Sequence, residues 1–138
     1  MSEPRPIKQV IVYRRDLKMR KGKIAAQVAH ASMRVLLKLA TFDPGAPETI
    51  TIAMPPAMTR WVHGRFTKVV LSVEDEDALL KVYEEAQARA LPCALITDSG
   101  KTEFNGRPTR TTVAVGPAYA DEIDAVTGKS GVVPTKLA

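Results

Sequence analysis

The sequence predicts an α/β sandwich, with helices on both faces of a mixed β-sheet. Short runs rich in β-branched residues alternate with segments whose apolar residues recur at helical spacing. Crossover helices make some strands parallel, whereas the last two predicted strands follow each other directly and can pair as an antiparallel hairpin. A chain of 138 residues fits one domain with a single core. We therefore expect a three-layer domain over residues 1–138.

The first strand is predicted at residues 7–13, and a polar loop at 14–22 leads into a helix over about 23–40. Apolar residues spaced at three and four positions give this helix a core stripe of Ile24, Val28, Ala31, Val35 and Leu39. A polar, mostly basic stripe repeats the spacing one residue earlier, at Lys23, Gln27, His30, Arg34 and Lys38. The positive charge of the loop therefore extends along the helix.

The middle of the chain is the least regular part. Residues 41–66 hold four prolines around a possible short strand at 49–53. A clear strand follows at 68–73. The acids at 74–77 suit the first turn of a helix that continues to about residue 90.

Two further strands and a helix are predicted after Pro92, at which the preceding helix must have ended. The strands cover 93–97 and about 109–115. The dipeptide Gly116-Pro117 is predicted to open the last helix, which closes near Gly128, because proline favours the start of a helix and glycine its end.

The charge of the protein is concentrated between residues 14 and 23. This run holds six Lys or Arg against one Asp, a local excess of five that equals the formal net charge of +5. It precedes a predicted helix, whose unpaired N–H groups and dipole also favour anions. A polyanionic partner is therefore expected, and the low aromatic content of 5% favours phosphate contacts over base stacking.

Several classes of protein are disfavoured. A nucleotide-binding P-loop is disfavoured, because Leu17 stands where that motif needs Gly and Ile24 where it needs Ser or Thr. A zinc site is disfavoured, because the two histidines stand apart without zinc-ligand spacing. Cys93 lies in an apolar run that is typical of a buried structural thiol. No apolar stretch approaches the ~20 residues of a membrane span, and the N-terminus lacks the apolar core of a signal peptide. We expect a cytoplasmic protein without a metal site or a membrane partner.

A second polar concentration runs from Thr97 to Glu103, where the third clear strand ends, and Thr109, Thr111 and Thr112 lie on the next strand. Strand ends in α/β folds are favoured ligand sites. Two interpretations are open. Asp98 either caps a turn, or it orients a water molecule or hydroxyl with the threonines as partners.

Taken together, these segments resemble the type 2 peptidyl-tRNA hydrolases, the archaeal and eukaryotic form of that enzyme. The resemblance rests on Lys-Met-Arg-Lys-Gly-Lys-Ile-Ala-Ala-Gln-Val-Ala-His-Ala at 18–31, Asp-Ser-Gly-Lys-Thr at 98–102 and Ala-Val-Gly-Pro at 114–117. Thr111, Glu122-Ile123-Asp124 and Val126-Thr127-Gly128 also fit. Residues 41–60 stand out as an insertion, and the loop from 98 to 111 is one residue longer than usual.

The resemblance implies a four-stranded mixed sheet, commonly in a homodimer, and hydrolysis of the ester between peptide and tRNA without a cofactor. It assigns the candidate catalytic residues Lys23, Asp98, Thr102 and Thr111, with Gln27 and His30 as neighbours. Since no Ser-His-Asp or Cys-His set is evident, direct water attack is the simplest route. Asp98 and a threonine position the water, Lys23 stabilises the oxyanion or a tRNA phosphate, and His30 is the alternative base.

The remaining cations are expected to bind tRNA. The predicted tRNA-binding residues are Arg14, Arg15, Lys18, Arg20, Lys21, Gln27 and Arg34. A non-catalytic RNA-binding relative of the same fold is the alternative function.

Overall fold

The computed structural model describes residues 5–101 and 103–138. Within these residues strands and helices alternate as the sequence predicts. The strands are β1 (Ile7–Arg14), β2 (Ala40–Asp43), β3 (Ala46–Ile52), β4 (Lys68–Val73), β5 (Cys93–Asp98), β6 (Thr109–Tyr119) and β7 (Lys136–Leu137). The helices are α1 (Lys21–Leu37), α2 (Pro56–His63), α3 (Glu76–Ala88) and α4 (Ala120–Thr127), with a short 3-10 turn at Phe104–Gly106.

The main sheet has the strand order β5-β6-β1-β4-β7 and is mixed. β1 pairs parallel with β4, whereas β6 runs antiparallel to both β1 and β5. The predicted antiparallel pairing of β5 with β6 is confirmed. The predicted number of four strands is wrong, because β7 adds a fifth at the edge beside β4. Two residues are too short to carry a periodic pattern, so the sequence gives no signal for β7.

Helices cover both faces of this sheet. Successive side chains of β1 point to opposite faces, so that Val10 and Val12 belong to one buried cluster and Ile11 to another. The first cluster includes residues of α3 and α4, and the second includes residues of α1 and α2. The predicted three-layer arrangement is therefore present.

The face that helix α1 presents to the core matches the expected one in part: Ala31 and Val35 are buried and Val28 packs against the core, but polar residues share this face. Its buried residues are Gln27, Ala31, Ser32 and Val35, and Leu39 lies beyond its end with 39% exposure. The buried Ser32 has a hydrogen-bond partner on β1, because its hydroxyl donates to Gln9 Oε1 at 2.5 Å. Gln9 is also buried, and its Nε2 donates to the Gly116 carbonyl at 3.1 Å. The core stripe is thus partly polar.

Residues 40–63 contain more structure than their prolines suggest. β2 and β3 pair antiparallel as a separate two-stranded sheet, in place of the single short strand expected at 49–53. Helix α2 begins at Pro56, where proline is favourable because the first N–H groups of a helix have no intrahelical partner. Its Trp61 is buried and donates its indole N–H to the Thr67 carbonyl at 2.8 Å.

The expectation that Gly116-Pro117 opens the last helix is wrong. Both residues lie inside β6, which continues to Tyr119 opposite Ile7 of β1. The N–H of Gly116 donates to the Pro92 carbonyl at 2.7 Å, so this segment is still held to its neighbours. Helix α4 begins only at Ala120.

Candidate active site

The candidate site lies where the end of β5 meets the first turns of α1. Asp98 is the last residue of β5, and Lys23 is in the first turn of α1. The Lys23 ammonium donates to Asp98 Oδ1 at 2.9 Å, and each of the two side chains is 14% exposed. The pair is thus largely sheltered but still reaches the surface.

A buried chain of hydrogen bonds supports Asp98 from behind. Gln27, one turn after Lys23, donates its amide N–H to Asp98 Oδ1 at 3.2 Å. The Thr111 hydroxyl on β6 donates to Gln27 Oε1 in a short hydrogen bond, and Thr112 Oγ1 lies 3.3 Å from Thr111 Oγ1. Gln27 is only 1% exposed, and both threonines are fully buried. Three elements thereby fix the position of one carboxylate.

Gly100 holds the second carboxylate oxygen. Its backbone N–H donates to Asp98 Oδ2 at 2.9 Å. Burial is the largest single influence on the pKa of Asp98 and raises it, but the hydrogen bonds from Lys23, Gly100 and Gln27 and the charge of Lys23 outweigh burial and hold the pKa below its ordinary value. Asp98 is therefore a stable carboxylate and a weak base.

Gly100 also has a backbone conformation that only glycine adopts without strain here. Its φ is +81°, and a Cβ at this position would lie 2.1 Å from the Arg107 carbonyl oxygen. We expect Gly100→Ala to displace the N–H that holds Asp98 and to lower kcat/KM by about tenfold or more. The matched control is Gly106→Ala, because Gly106 has a similar φ of +72° and open space around its Cα. Comparable activity of the two variants would contradict this role of Gly100.

Thr102, a predicted catalytic residue, lies outside the described residues. Phe104 was not anticipated from the sequence: the Lys23 ammonium lies 5.7 Å from the centroid of its ring. Phe104 has a positive φ of 66° in the loop after Asp98. A lone aromatic in a polar loop was the only sequence signal available for it.

The predicted phosphate-binding cations divide into two groups. Arg14 forms a two-point pair with Asp16 at 2.8 and 3.0 Å and also reaches Glu76, and Arg15 donates to the Ser72 carbonyl and hydroxyl. The hydrogen bond to Asp16 raises the pKa of Arg14, and the same contact lowers that of Asp16. These two arginines therefore brace the loop. Gln27, also predicted to contact tRNA, is buried instead.

The second group faces solvent at the start of α1. Lys18 and Lys21 are exposed, and the Arg20 side chain is 89% exposed with a long contact of 3.9 Å to Glu103. No side chain in the described chain caps this end of α1, and its first turn contains no acid. Arg34 and His30 are exposed further along the helix. Exposed basic residues thus precede Lys23 at the start of α1 and continue along the helix.

The site offers a fixed carboxylate and an ammonium beside a positive surface. Among residues 5–101 and 103–138, no group of three or more His, Cys, Asp or Glu side chains could hold a metal ion. Cys93 is buried, and burial raises its pKa, so the thiolate nucleophile is disfavoured. The arrangement can orient a water molecule and stabilise negative charge at a substrate bearing phosphates.

Fold and site thus describe an α/β protein in which a sheltered Lys–Asp pair lies at the start of a helix, next to a basic loop. Residues 7–131 match the family described as Peptidyl-tRNA hydrolase PTH2, and the chain belongs to this family.

Curated relatives agree with this assignment. The peptidyl-tRNA hydrolase of Methanopyrus kandleri is 42% identical over 121 residues, covering 88% of this chain and 93% of the relative. That of Methanocaldococcus jannaschii is 35% identical and covers 88% of this chain and 96% of the relative. A solved structure of a protein of unknown function from Agrobacterium tumefaciens has a TM-score of 0.56 at 12% identity, covering 95% of this chain and 96% of its own, and shows the fold alone.

Proposed function

We propose that this chain hydrolyses the ester bond of peptidyl-tRNA by direct attack of water, releasing peptide and free tRNA. Its membership of the peptidyl-tRNA hydrolase family supports the reaction. The observation that carries the site is the sheltered contact of 2.9 Å between Lys23 and Asp98 at the start of α1.

Asp98 orients the attacking water, and Lys23 stabilises the negative charge that develops on the carbonyl oxygen. A carboxylate with a lowered pKa takes up a proton poorly, so orientation and charge stabilisation contribute more than proton abstraction. His30, exposed one turn beyond Gln27, is the alternative group to receive the proton. Thr102 remains a candidate for holding the water.

Gln27 and Thr111 act as positioning residues. Both are buried, so they do not touch the substrate directly. Thr111 fixes the orientation of the Gln27 amide, and Gln27 fixes Asp98. This relay connects Thr111 on β6 to the carboxylate at the end of β5.

The tRNA lies on the α1–α2 side of the molecule. Helices α1 and α2 together contain four Lys or Arg and no acid, whereas α3 and α4 contain seven acids and one Lys. A polyanion is attracted to the first layer and repelled by the second. Lys18, Arg20, Lys21 and Arg34 are the exposed phosphate contacts on this side, while Arg14 and Arg15 hold the loop in shape.

The test of the proposed function is release of N-acetyl amino acid from chemically charged tRNA by the wild-type protein. Hydrolysis supports an enzyme. Tight binding of the charged tRNA without hydrolysis would identify a non-catalytic RNA-binding relative and overturn the proposal.

Removal of the exposed cations should weaken tRNA binding without changing the chemical step. We measure the association constant for tRNA at several salt concentrations. For the triple variant Lys18→Ala/Arg20→Ala/Lys21→Ala we expect the slope of its logarithm against the logarithm of the salt concentration to become shallower by about 2. KM should rise while kcat stays near the wild-type value. The control replaces three exposed lysines outside the loop, Lys81, Lys129 and Lys136, with Ala. An equal change of slope in both variants would argue against a specific role of the loop.

We also propose that the protein is cytoplasmic and forms a homodimer. Residues 1–138 form one domain, in which 41–60 is an insertion. The family resemblance supports the dimer, and the separate hairpin of β2 and β3 supports the insertion. No helix in the described parts of the chain is long and apolar enough to cross a membrane. Sedimentation equilibrium should give about twice the chain mass of 15.0 kDa.

A further inference from the structure

An open groove of about 590 Å³ runs between the outer side of α1 and strand β5. β5 is the outermost strand of the main sheet, so the described chain leaves its far edge unpaired. The groove begins beside the candidate active site, because its lining residue Thr97 directly precedes Asp98, and His30 lies one turn beyond Gln27. We refer to it as the α1–β5 groove.

The lining of this groove is mainly apolar although the surrounding surface is basic. Ala29, Met33 and Leu37 recur at intervals of four residues, so they form a stripe along the outer side of α1. Met33 is 62% exposed and contributes little to the core. Leu95 and Ile96 of β5 form the opposite wall. An apolar stripe that leads away from a reactive site favours a ligand with apolar side chains.

We infer that the α1–β5 groove holds the peptide of peptidyl-tRNA, with the side chain of its C-terminal residue against Met33 and Leu37. The inference rests on the proposed function. The ester must lie at the Lys23–Asp98 pair, and the exposed cations Lys18, Arg20 and Lys21 lie before Lys23 at the start of α1. The groove leaves the pair in the other direction, toward the end of α1. The phosphates at the start of α1 and the peptide therefore have separate places. Of the four phosphate contacts proposed above, only Arg34 also lines the groove.

The chemistry of the groove suits peptides of varied sequence. Methionine is flexible and polarisable, so Met33 adapts to side chains of different shape. The free edge of β5 presents backbone N–H and C=O groups, which an extended peptide can pair with whatever its sequence. Apolar contact and backbone pairing together give broad binding with a preference for apolar side chains.

The test compares one tRNA charged chemically with N-acetyl-leucine or with N-acetyl-glycine. We expect the wild-type protein to have a kcat/KM about tenfold higher for the leucine ester. Met33→Asn should reduce this ratio to about twofold or threefold by slowing the leucine substrate alone, while binding of uncharged tRNA is unchanged. The control is Phe42→Asn, because Phe42 is 66% exposed and lies in the β2–β3 hairpin, and its ratio should equal the wild-type ratio.

Three results would overturn the inference. The first is equal hydrolysis of both esters by the wild-type protein, and the second is an unchanged ratio in Met33→Asn. The third is conversion of a dimer into monomers by Met33→Asn in sedimentation equilibrium, since a second copy of the chain would then occupy the groove. If neither ester is hydrolysed, the proposed function itself fails. The three results above overturn only the inference about the groove, so the two failures are distinguishable.

Discussion

Asp98→Asn is expected to lower kcat/KM for peptidyl-tRNA by about a thousandfold, with little change in the affinity for uncharged tRNA. Asn has the same size but no negative charge. If its carbonyl oxygen accepts from Lys23 and Gln27 in place of Oδ1, its NH2 group faces the Gly100 N–H, which is also a donor. The attacking water loses its charged acceptor, and the ion pair with Lys23 is lost. Single-turnover hydrolysis at saturating enzyme measures the chemical step directly.

Asp77→Asn is the matched control, because Asp77 is exposed on α3, in the layer that faces away from α1. Its rate should equal that of the wild-type protein. If Asp98→Asn retains more than about a tenth of the wild-type rate, Asp98 does not orient the attacking water.

The pH dependence of the reaction gives an independent check on Asp98. Its lowered pKa means that the folded protein favours the ionised form, so Asp98 stabilises the fold above its ordinary pKa of 3.8. This contribution is lost as the pH falls through the lower pKa of the folded state. Asp98 should therefore stay ionised from pH 7 to 5, so its titration should not change kcat/KM in this range. A fall between pH 7 and 6 would show that the reaction depends on a titrating group other than Asp98.

The regular strands and helices could be predicted because burial on one or both faces imposes a period on the sequence. The start of a helix has a separate signal. The acids at 74–77 predict the start of α3, and Asp75 caps this helix by accepting from the Ala78 N–H at 2.9 Å. The errors occur where one local signal has two meanings. Pro56 starts a helix in a segment that looks broken by prolines, and Pro117 lies in a strand although it follows a glycine as in a helix start.

The site shows a similar limit. The family resemblance assigns Lys23 and Asp98 to one site, and the fold brings them together because the start of α1 lies at the end of β5. The burial of Gln27 could not be predicted from the period of α1, since an amide is stable in the interior only if hydrogen-bond partners exist there. Those partners, Thr111 and Asp98, are more than 70 residues away in the chain.

Lys23→Ala should lower kcat by about a hundredfold or more. The control is Lys21→Ala, which removes the same charge from an exposed position two residues earlier. It should raise KM and leave kcat near its wild-type value. Loss of Lys23 also leaves Asp98 sheltered without its ion-pair partner, so the pKa of Asp98 should rise toward its ordinary value and the protein should lose about 1–3 kcal/mol of stability. Chemical denaturation of the two variants measures that difference.

The double variant Lys23→Ala/Asp98→Asn distinguishes a catalytic pair from two separate contacts. Because the two side chains touch at 2.9 Å, their effects should not add. The double variant should be about as slow as Asp98→Asn alone, and more stable than Lys23→Ala because no carboxylate remains unpaired. If Lys23→Ala instead raises KM and preserves kcat, as expected for Lys21→Ala, then Lys23 holds a tRNA phosphate, and the oxyanion must be stabilised by another group.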